Sequence, residues 1–112
     1  ESLASRSTSK VEVVGHIDHR LPPVVETAAY FVIAESLTNV AKHAPGASAR
    51  VTLSLDGAML VVEIADNGPG GANPAGSGLT GLKQRVEALD GRLEVHSIAR
   101  EGTVVWAVLP CE

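Results

Sequence analysis

The chain has 112 residues, enough for one domain with a core of its own. Its formal net charge is −4, and no block of Lys or Arg marks a nucleic-acid or membrane footprint. Aromatic residues are only 3% of the chain, so the core must be aliphatic, and the single Cys111 excludes an internal disulfide framework and fits a reducing, cytoplasmic setting. Residues 1–9, ESLASRSTS, are polar and Ser-rich and are expected to form a flexible lead-in to a globular unit spanning 10–112. The opening at Glu1 rather than Met is expected of a segment of a longer protein.

Lys10–Ile17 has strand character, and Leu21-Pro22-Pro23 stops it. Pro23 suits the first turn of a helix, and a long helix is predicted from about Val24 to His43, ended by Ala44-Pro45-Gly46. Its longest apolar run, Ala28–Ala34, is too short to span a bilayer, and no signal-peptide pattern precedes it. Arg50–Leu55 alternates like a half-buried strand, Asp56-Gly57 is a hairpin turn signal, and Met59–Ile64 returns. Asp66–Gly78 holds five glycines and two prolines in thirteen residues, a composition no regular element survives. Leu79–Leu89 has helical periodicity through Leu82, Val86 and Leu89, with Gly91 placed for a C-terminal cap. Arg92–Ser97 and Thr103–Leu109 are two further strands joined near Arg100-Glu101-Gly102. Strand, long helix, hairpin, Gly-rich loop, helix and hairpin predict an α/β two-layer sandwich, with helices on one face of a mixed, largely antiparallel sheet.

Two segments carry chemistry. On a wheel of about 100° per residue, Glu35, Asn39, Lys42 and His43 share one stripe, while Ala29, Ile33, Leu37 and Val40 form an apolar stripe expected to lie opposite. The bland account is a solvated helix face, but neutral Asn is a modest helix former there. The second segment is DNGPGGANPAGSGLTG, residues 66–81. A hairpin needs a partner strand at once, and a linker needs a second domain; neither is present, and loops of this length in a compact domain are usually functional or disordered. Gly76-Ser77-Gly78-Leu79-Thr80-Gly81 formally matches G-x-G-x-x-G, yet no strand precedes it, which excludes the dinucleotide fold. No Lys-Ser/Thr follows the last glycine, so it is not a Walker loop. A Gly-rich loop entering a helix near Leu79 remains, an arrangement suited to phosphate groups.

Taken together, these residues resemble the catalytic ATP-binding domain of a bacterial sensor histidine kinase, which has the Bergerat fold shared with the gyrase, Hsp90 and MutL ATPases. The resemblance covers about residues 22–110 and runs through four motifs in order. They are the N box Glu35-Ser-Leu-Thr-Asn39-Val-Ala-Lys42-His43-Ala44, the first glycine box Asp66-Asn67-Gly68-Pro69-Gly70, the second glycine box Gly76-Ser77-Gly78-Leu79-Thr80-Gly81-Leu82, and the Gly102-Thr103 pair. The TNVAKHA form, the short segment between glycine boxes and the GLTGLKQRVEALDGRLEV continuation look like the subfamily that pairs with helix-turn-helix response regulators.

The resemblance implies roles. Asp66 would accept from the adenine amino group, which distinguishes adenine from guanine, and Thr103 would complete the adenine site. Asn39 would ligate Mg²⁺, an ion that takes oxygen ligands and shares them with substrate phosphates. Glu35 would polarise the attacking nucleophile or a metal-bound water. Lys42 and His43 would meet phosphate oxygens. Gly68 and Gly70 would let the chain turn beside the nucleotide, and Gly76, Gly78 and Gly81, with Leu79, Thr80 and Leu82, would form a lid offering N–H groups to the phosphates.

The implied cofactors are ATP and Mg²⁺. The implied partners are a dimerisation domain bearing the phosphoacceptor His, and a response regulator downstream, with no direct nucleic acid or membrane contact by this domain, although the parent protein can be membrane-anchored. The acceptor is not expected here: His16 and His19 flank a strand and prolines, and His96 sits in a strand. An anti-sigma-factor serine kinase shares the N box and first glycine box, but the Lys-His ending and the second glycine box argue against it. A degenerate docking module is opposed by intact Glu35, Asn39 and Asp66.

Overall fold

The computed structural model describes residues 11–15, 17, 20–43, 46–68, 77–98 and 102–111. Five strands and two helices follow in order: β1 (Val11–Val14), α1 (Pro23–His43), β2 (Ala49–Asp56), β3 (Met59–Asp66), α2 (Ser77–Glu87), β4 (Arg92–Ile98) and β5 (Gly102–Pro110). The predicted lead-in at 1–9 lies outside the described residues, and the first strand is shorter than expected, with Gly15 outside it.

The sheet order is β1-β2-β3-β5-β4. β1 and β2 are joined through α1 and pair in parallel, as a crossover requires. The other neighbours are antiparallel. Period-2 burial marks the covered face. Ala49, Val51, Leu60, Val62, Ile64, Val105, Ala107 and Leu109 are buried, while Arg50, Ser54 and Asp56 between them are exposed. Both helices lie on that covered face and close one core, in which Val32, Val62, Val86, Ala107 and Leu109 are completely inaccessible. Burying each valine or leucine among them contributes about 1.5–3 kcal/mol. The α/β two-layer architecture read from the element order is the one observed.

Two turns depart from expectation in their details. The hairpin pairs Asp56 with Met59, so its central residues are Gly57 and Ala58, not Asp56 and Gly57. Gly57 has φ 60°, as the first central position of a type II′ turn demands. At the end of α2 the left-handed residue is Asp90, with φ 63°, and not Gly91. Asp90 N–H donates to the Glu87 carbonyl and Gly91 N–H to the Val86 carbonyl, both at 3.0 Å, a Schellman closure. Gly91 is needed for another reason: a Cβ there would collide with the Val108 carbonyl oxygen.

The wheel also needs correcting. The buried residues of α1 include Val25, Ala28, Ala29, Val32, Ser36, Leu37 and Val40. With Glu35 at the origin they span about 20° to 200°. The polar stripe therefore overlaps one edge of the buried arc and does not oppose it, and Glu35 and Asn39 are half-buried there. The far side of α1 carries exposed Tyr30 and Phe31, whose rings meet edge to face at 5.8 Å. The Arg85 guanidinium of α2 lies 4.2 Å from the Phe31 centroid and ties the two helices together. Such a contact is worth about 0.5–1 kcal/mol at an exposed site.

The N-terminus of α1 is held by charge. Glu26 accepts from Arg20 Nε at 3.1 Å and Nη2 at 3.2 Å, and from the Leu21 N–H at 3.1 Å. The Arg20 bonds first, and the Leu21 N–H second, hold its carboxyl below the usual glutamate value of 4.5. A depressed folded-state value means that this contribution is fully present above pH 4.5 and is lost as pH falls through the lower folded value. Thermal unfolding of Glu26→Gln is expected to show a lower melting temperature than wild type at pH 7, a gap that closes on acidification. A gap independent of pH would show that the carboxylate's charge plays no part.

Candidate functional site

The topology gathers the motifs at one end of the sheet. α1 reaches that end through its C-terminus, because only residues 44–48 separate His43 from β2. The first residue of β2, Ala49, pairs with Asp66, the last of β3, and Asp66 pairs in turn with Thr103 at the start of β5. Thr103 pairs with Ser97 near the end of β4. α2 joins β4 at the opposite end, where Arg92 pairs with Val108, so its N-terminus points back toward Asp66. The ends of α1, β3 and β4 and the starts of α2 and β5 thus meet in one region.

Within it, the Asp66 carboxylate is half-buried and follows Leu60, Val62 and Ile64 on the covered face. Its Oδ1 accepts from the Gly68 N–H at 2.9 Å, which fixes the carboxylate in an Asx-type turn. Asn67 is anchored in both directions. Its N–H donates to the Ser48 carbonyl at 3.1 Å, and its Oδ1 accepts the Ser48 N–H at 2.8 Å. This clamp joins the chain leaving β3 to the chain entering β2. Sequence reading placed Asn67 in a glycine box without giving it this structural task.

Thr103 is half-buried beside Asp66, and its Oγ1 lies 2.9 Å from Ser97 Oγ. Asp66, Thr103 and Ser97 therefore form a polar row across β3, β5 and β4. Ser97 was missed. Its place follows from the strand register, which pairs it with Thr103.

On α1, Glu35 and Asn39 are half-buried one turn apart, and Lys42 is exposed a turn further on. The Thr38 hydroxyl is committed to the Ala34 carbonyl at 2.8 Å and belongs to the helix. The side chain of His43 lies outside the described residues, as do Gly70, Gly76 and the histidines at 16 and 19. His96 is exposed and bonded to Glu94 at 3.1 Å, on the sheet face away from the helices.

The second glycine box is helical from Ser77 onward, two residues earlier than predicted. The N–H of Gly81 is consequently taken by the carbonyl one turn back, and the unbonded donors of the first turn are those of Ser77, Gly78 and Leu79. The side chains of Leu79 and Leu82 are buried in the core, so these residues anchor α2, while Thr80 and Gly81 are exposed. A groove of about 590 Å³ on the β1–β2–β3 side is lined by Glu12, Ser48, Arg50, Asp66 and Asn67, and it includes none of the α1 residues. Among the described residues no group of three or more His, Cys, Asp or Glu gathers, and no helix is long and apolar enough to cross a membrane.

What this arrangement offers is a fixed carboxylate and hydroxyl at the sheet end, a half-buried carboxylate and amide on α1, and first-turn N–H donors at the start of α2. Such a set can recognise a heterocycle with an exocyclic amine and hold oxyanions beside it.

Comparison with known proteins gives the same direction. Residues 24–112 match the family described as histidine kinase-, DNA gyrase B-, and HSP90-like ATPases. The chain is 33% identical over 101 residues to the sensor histidine kinase YxjM of Bacillus subtilis, covering 89% of this chain and 25% of that protein. It is 33% identical over 91 residues to the oxygen sensor histidine kinase NreB of Staphylococcus carnosus, covering 77% of this chain and 26% of that protein. The chain thus spans about a quarter of the curated relatives it matches. In fold it superposes on the blue-light activated histidine kinase of Erythrobacter litoralis EL346 with TM-score 0.80 at 24% identity, over 98% of this chain and 40% of that one. The histidine kinase AdeS of Acinetobacter baumannii gives 0.77 at 13% identity, over 99% and 58%.

The polar row depends on a close backbone approach. Gly102 is buried with φ 121°, and a Cβ there would collide with the Asp66 carbonyl oxygen and stand 3.2 Å from the Asn67 Cα. Gly102→Ala is expected to cost at least about 2 kcal/mol in denaturant unfolding, combining positive-φ strain with displacement of β5 from β3. Wild-type stability in this variant would show that the approach is not required.

Proposed function

The chain belongs to the family of histidine kinase-, DNA gyrase B- and HSP90-like ATPases, and on that premise we propose that it is the ATP-binding catalytic domain of a sensor histidine kinase. It presents the γ-phosphoryl group of ATP to a histidine on a separate dimerisation domain, for relay to a response regulator. The observation that carries this reading is the pairing of Asp66 with Thr103 at the sheet end toward which the C-terminal half of α1, bearing Glu35 and Asn39, runs.

Asp66, held by the Gly68 N–H through Oδ1, keeps Oδ2 available to accept from the adenine amino group. Guanine carries an oxo group at that position and would face the carboxylate with a second acceptor. A hydrogen bond to a charged acceptor contributes about 1.5–3 kcal/mol, enough to set base preference. Thr103 adds a hydroxyl from the neighbouring strand. First-turn N–H groups of α2 and the Lys42 ammonium hold the phosphate oxygens, and His43 joins them by position on α1.

Mg²⁺ fits the donor set: the half-buried amide of Asn39 is a neutral oxygen ligand, which suits an ion that otherwise keeps waters and phosphate oxygens. When bound, the ion neutralises phosphate charge. In this reading Glu35, one turn before Asn39, accepts a hydrogen bond from the attacking imidazole or a water and orients it. Phosphoryl transfer asks for positioning and charge stabilisation more than for covalent help from the protein. The chain supplies both, and the nucleophile comes from the partner domain.

Calorimetry on the purified chain tests the site. Asn39→Ala is expected to lose the Mg²⁺-dependent part of ATP affinity, tenfold or more. Asp66→Asn is expected to weaken ATP binding and narrow the preference for ATP over GTP. Unchanged affinity in both variants would refute the assignment.

A second experiment concerns the acceptor. With labelled ATP the chain alone is expected to accumulate no stoichiometric phosphohistidine, whereas addition of the parent's dimerisation domain yields it. Stoichiometric label on the isolated chain would overturn the placement of the nucleophile elsewhere.

A further inference from the structure

Asp66, Thr103 and Ser97 lie side by side on β3, β5 and β4, and only the first two are accounted for by the nucleotide site. Ser97 follows Leu93 and Val95 at period 2 and so shares their covered face, the face on which Thr103 precedes Val105 and Ala107. The two hydroxyls meet at 2.9 Å in a half-buried setting, and either can donate. A threonine hydroxyl carries one proton and two lone pairs. Whichever way the bond runs, one of those capacities is committed to Ser97, and the direction of the remaining ones is fixed.

We infer that Ser97 is a positioning residue for adenine recognition, holding the Thr103 hydroxyl in the orientation that meets the base beside Asp66. The inference rests on the adenine-site reading given above. It adds a residue of a different strand, β4, to the specificity apparatus without giving it contact with the nucleotide. A purely structural account is a cross-strand Ser–Thr pair that stabilises the hairpin. The two accounts differ in one respect: a positioning residue works only through Thr103.

The experiment is a double-mutant cycle read by calorimetric ATP and GTP binding on the whole chain. Ser97→Ala is expected to weaken ATP binding about threefold to tenfold, the equivalent of one modest hydrogen bond, and to narrow the ATP-over-GTP ratio. Ser97→Thr, which keeps the hydroxyl, restores both. In the Thr103→Ala background, Ser97→Ala adds no further loss.

Where Ser97→Ala fails to fold by thermal unfolding, Ser97→Cys serves the same comparison, because it keeps the shape and weakens the bond. Wild-type ATP affinity in the Ser97 variants, beside weakened binding in Asp66→Asn and Thr103→Ala, overturns the inference and leaves the adenine site standing. Additive losses from Ser97→Ala and Thr103→Ala overturn it as well. Unchanged affinity in all of these variants, Asp66→Asn included, overturns the adenine reading itself.

Discussion

The contact on which the rest depends is the approach of Gly102 to the backbone of Asp66. β3 and β5 pair along their whole length, from Met59 with Pro110 to Asp66 with Thr103. The pairing runs out at the point where side-chain chemistry begins. A side chain at Gly102 would push the strands apart there, and the carboxylate and hydroxyl would no longer share one floor. Backbone complementarity comes first, and the carboxylate of Asp66 and the hydroxyl of Thr103 stand on its last rung.

Around that rung the chain uses local bonds to hold groups that would otherwise move. The Gly68 N–H restrains Asp66, Asn67 ties the ends of β2 and β3 to each other, and Ser97 restrains Thr103. None of these residues needs a large apolar surface. The core beneath, from Val32 to Leu109, is aliphatic and supplies the rigidity. The polar edge of α1 sits where burial fades, so Glu35 and Asn39 are partly desolvated yet reachable. Electrostatic interactions are stronger in such a position than at an open surface.

Much of this was legible in the sequence. Alternation and helical spacing gave the elements of the core, because each buries one face and advertises it, whereas β1 is exposed at three of its four residues. Motif order pointed to Asp66, Thr103 and the start of α2, which lie toward one end of the sheet. The position of the polar stripe was misjudged, since the wheel was oriented on Ala29, Ile33, Leu37 and Val40 alone. Small residues such as Ala28 and Ser36 are buried without a strong apolar signal, and they rotate the true buried arc toward Glu35. The left-handed residue after α2 was assigned to Gly91 because glycine is the usual occupant, whereas Asp tolerates that conformation and Gly91 is required for clearance from Val108. Ser97 escaped because a hydroxyl in a strand has no sequence signature; its meaning comes from the register, which a hairpin sets only once its turn is known.

The two ends of the sheet are joined differently. At the end remote from the site, Gly57-Ala58 closes one hairpin and the four residues 88–91 link α2 to β4. At the site end, the connections run between residues that carry the motifs, and the longest of them in sequence is the stretch between Gly68 and Ser77. Loop closure is insensitive to length, each doubling costing only about 0.6 kcal/mol. Changes of length in that span therefore leave the core's folding almost untouched. The closed core and its longest site-end connection are in effect adjustable apart from each other: the second can change in length at little cost to the first.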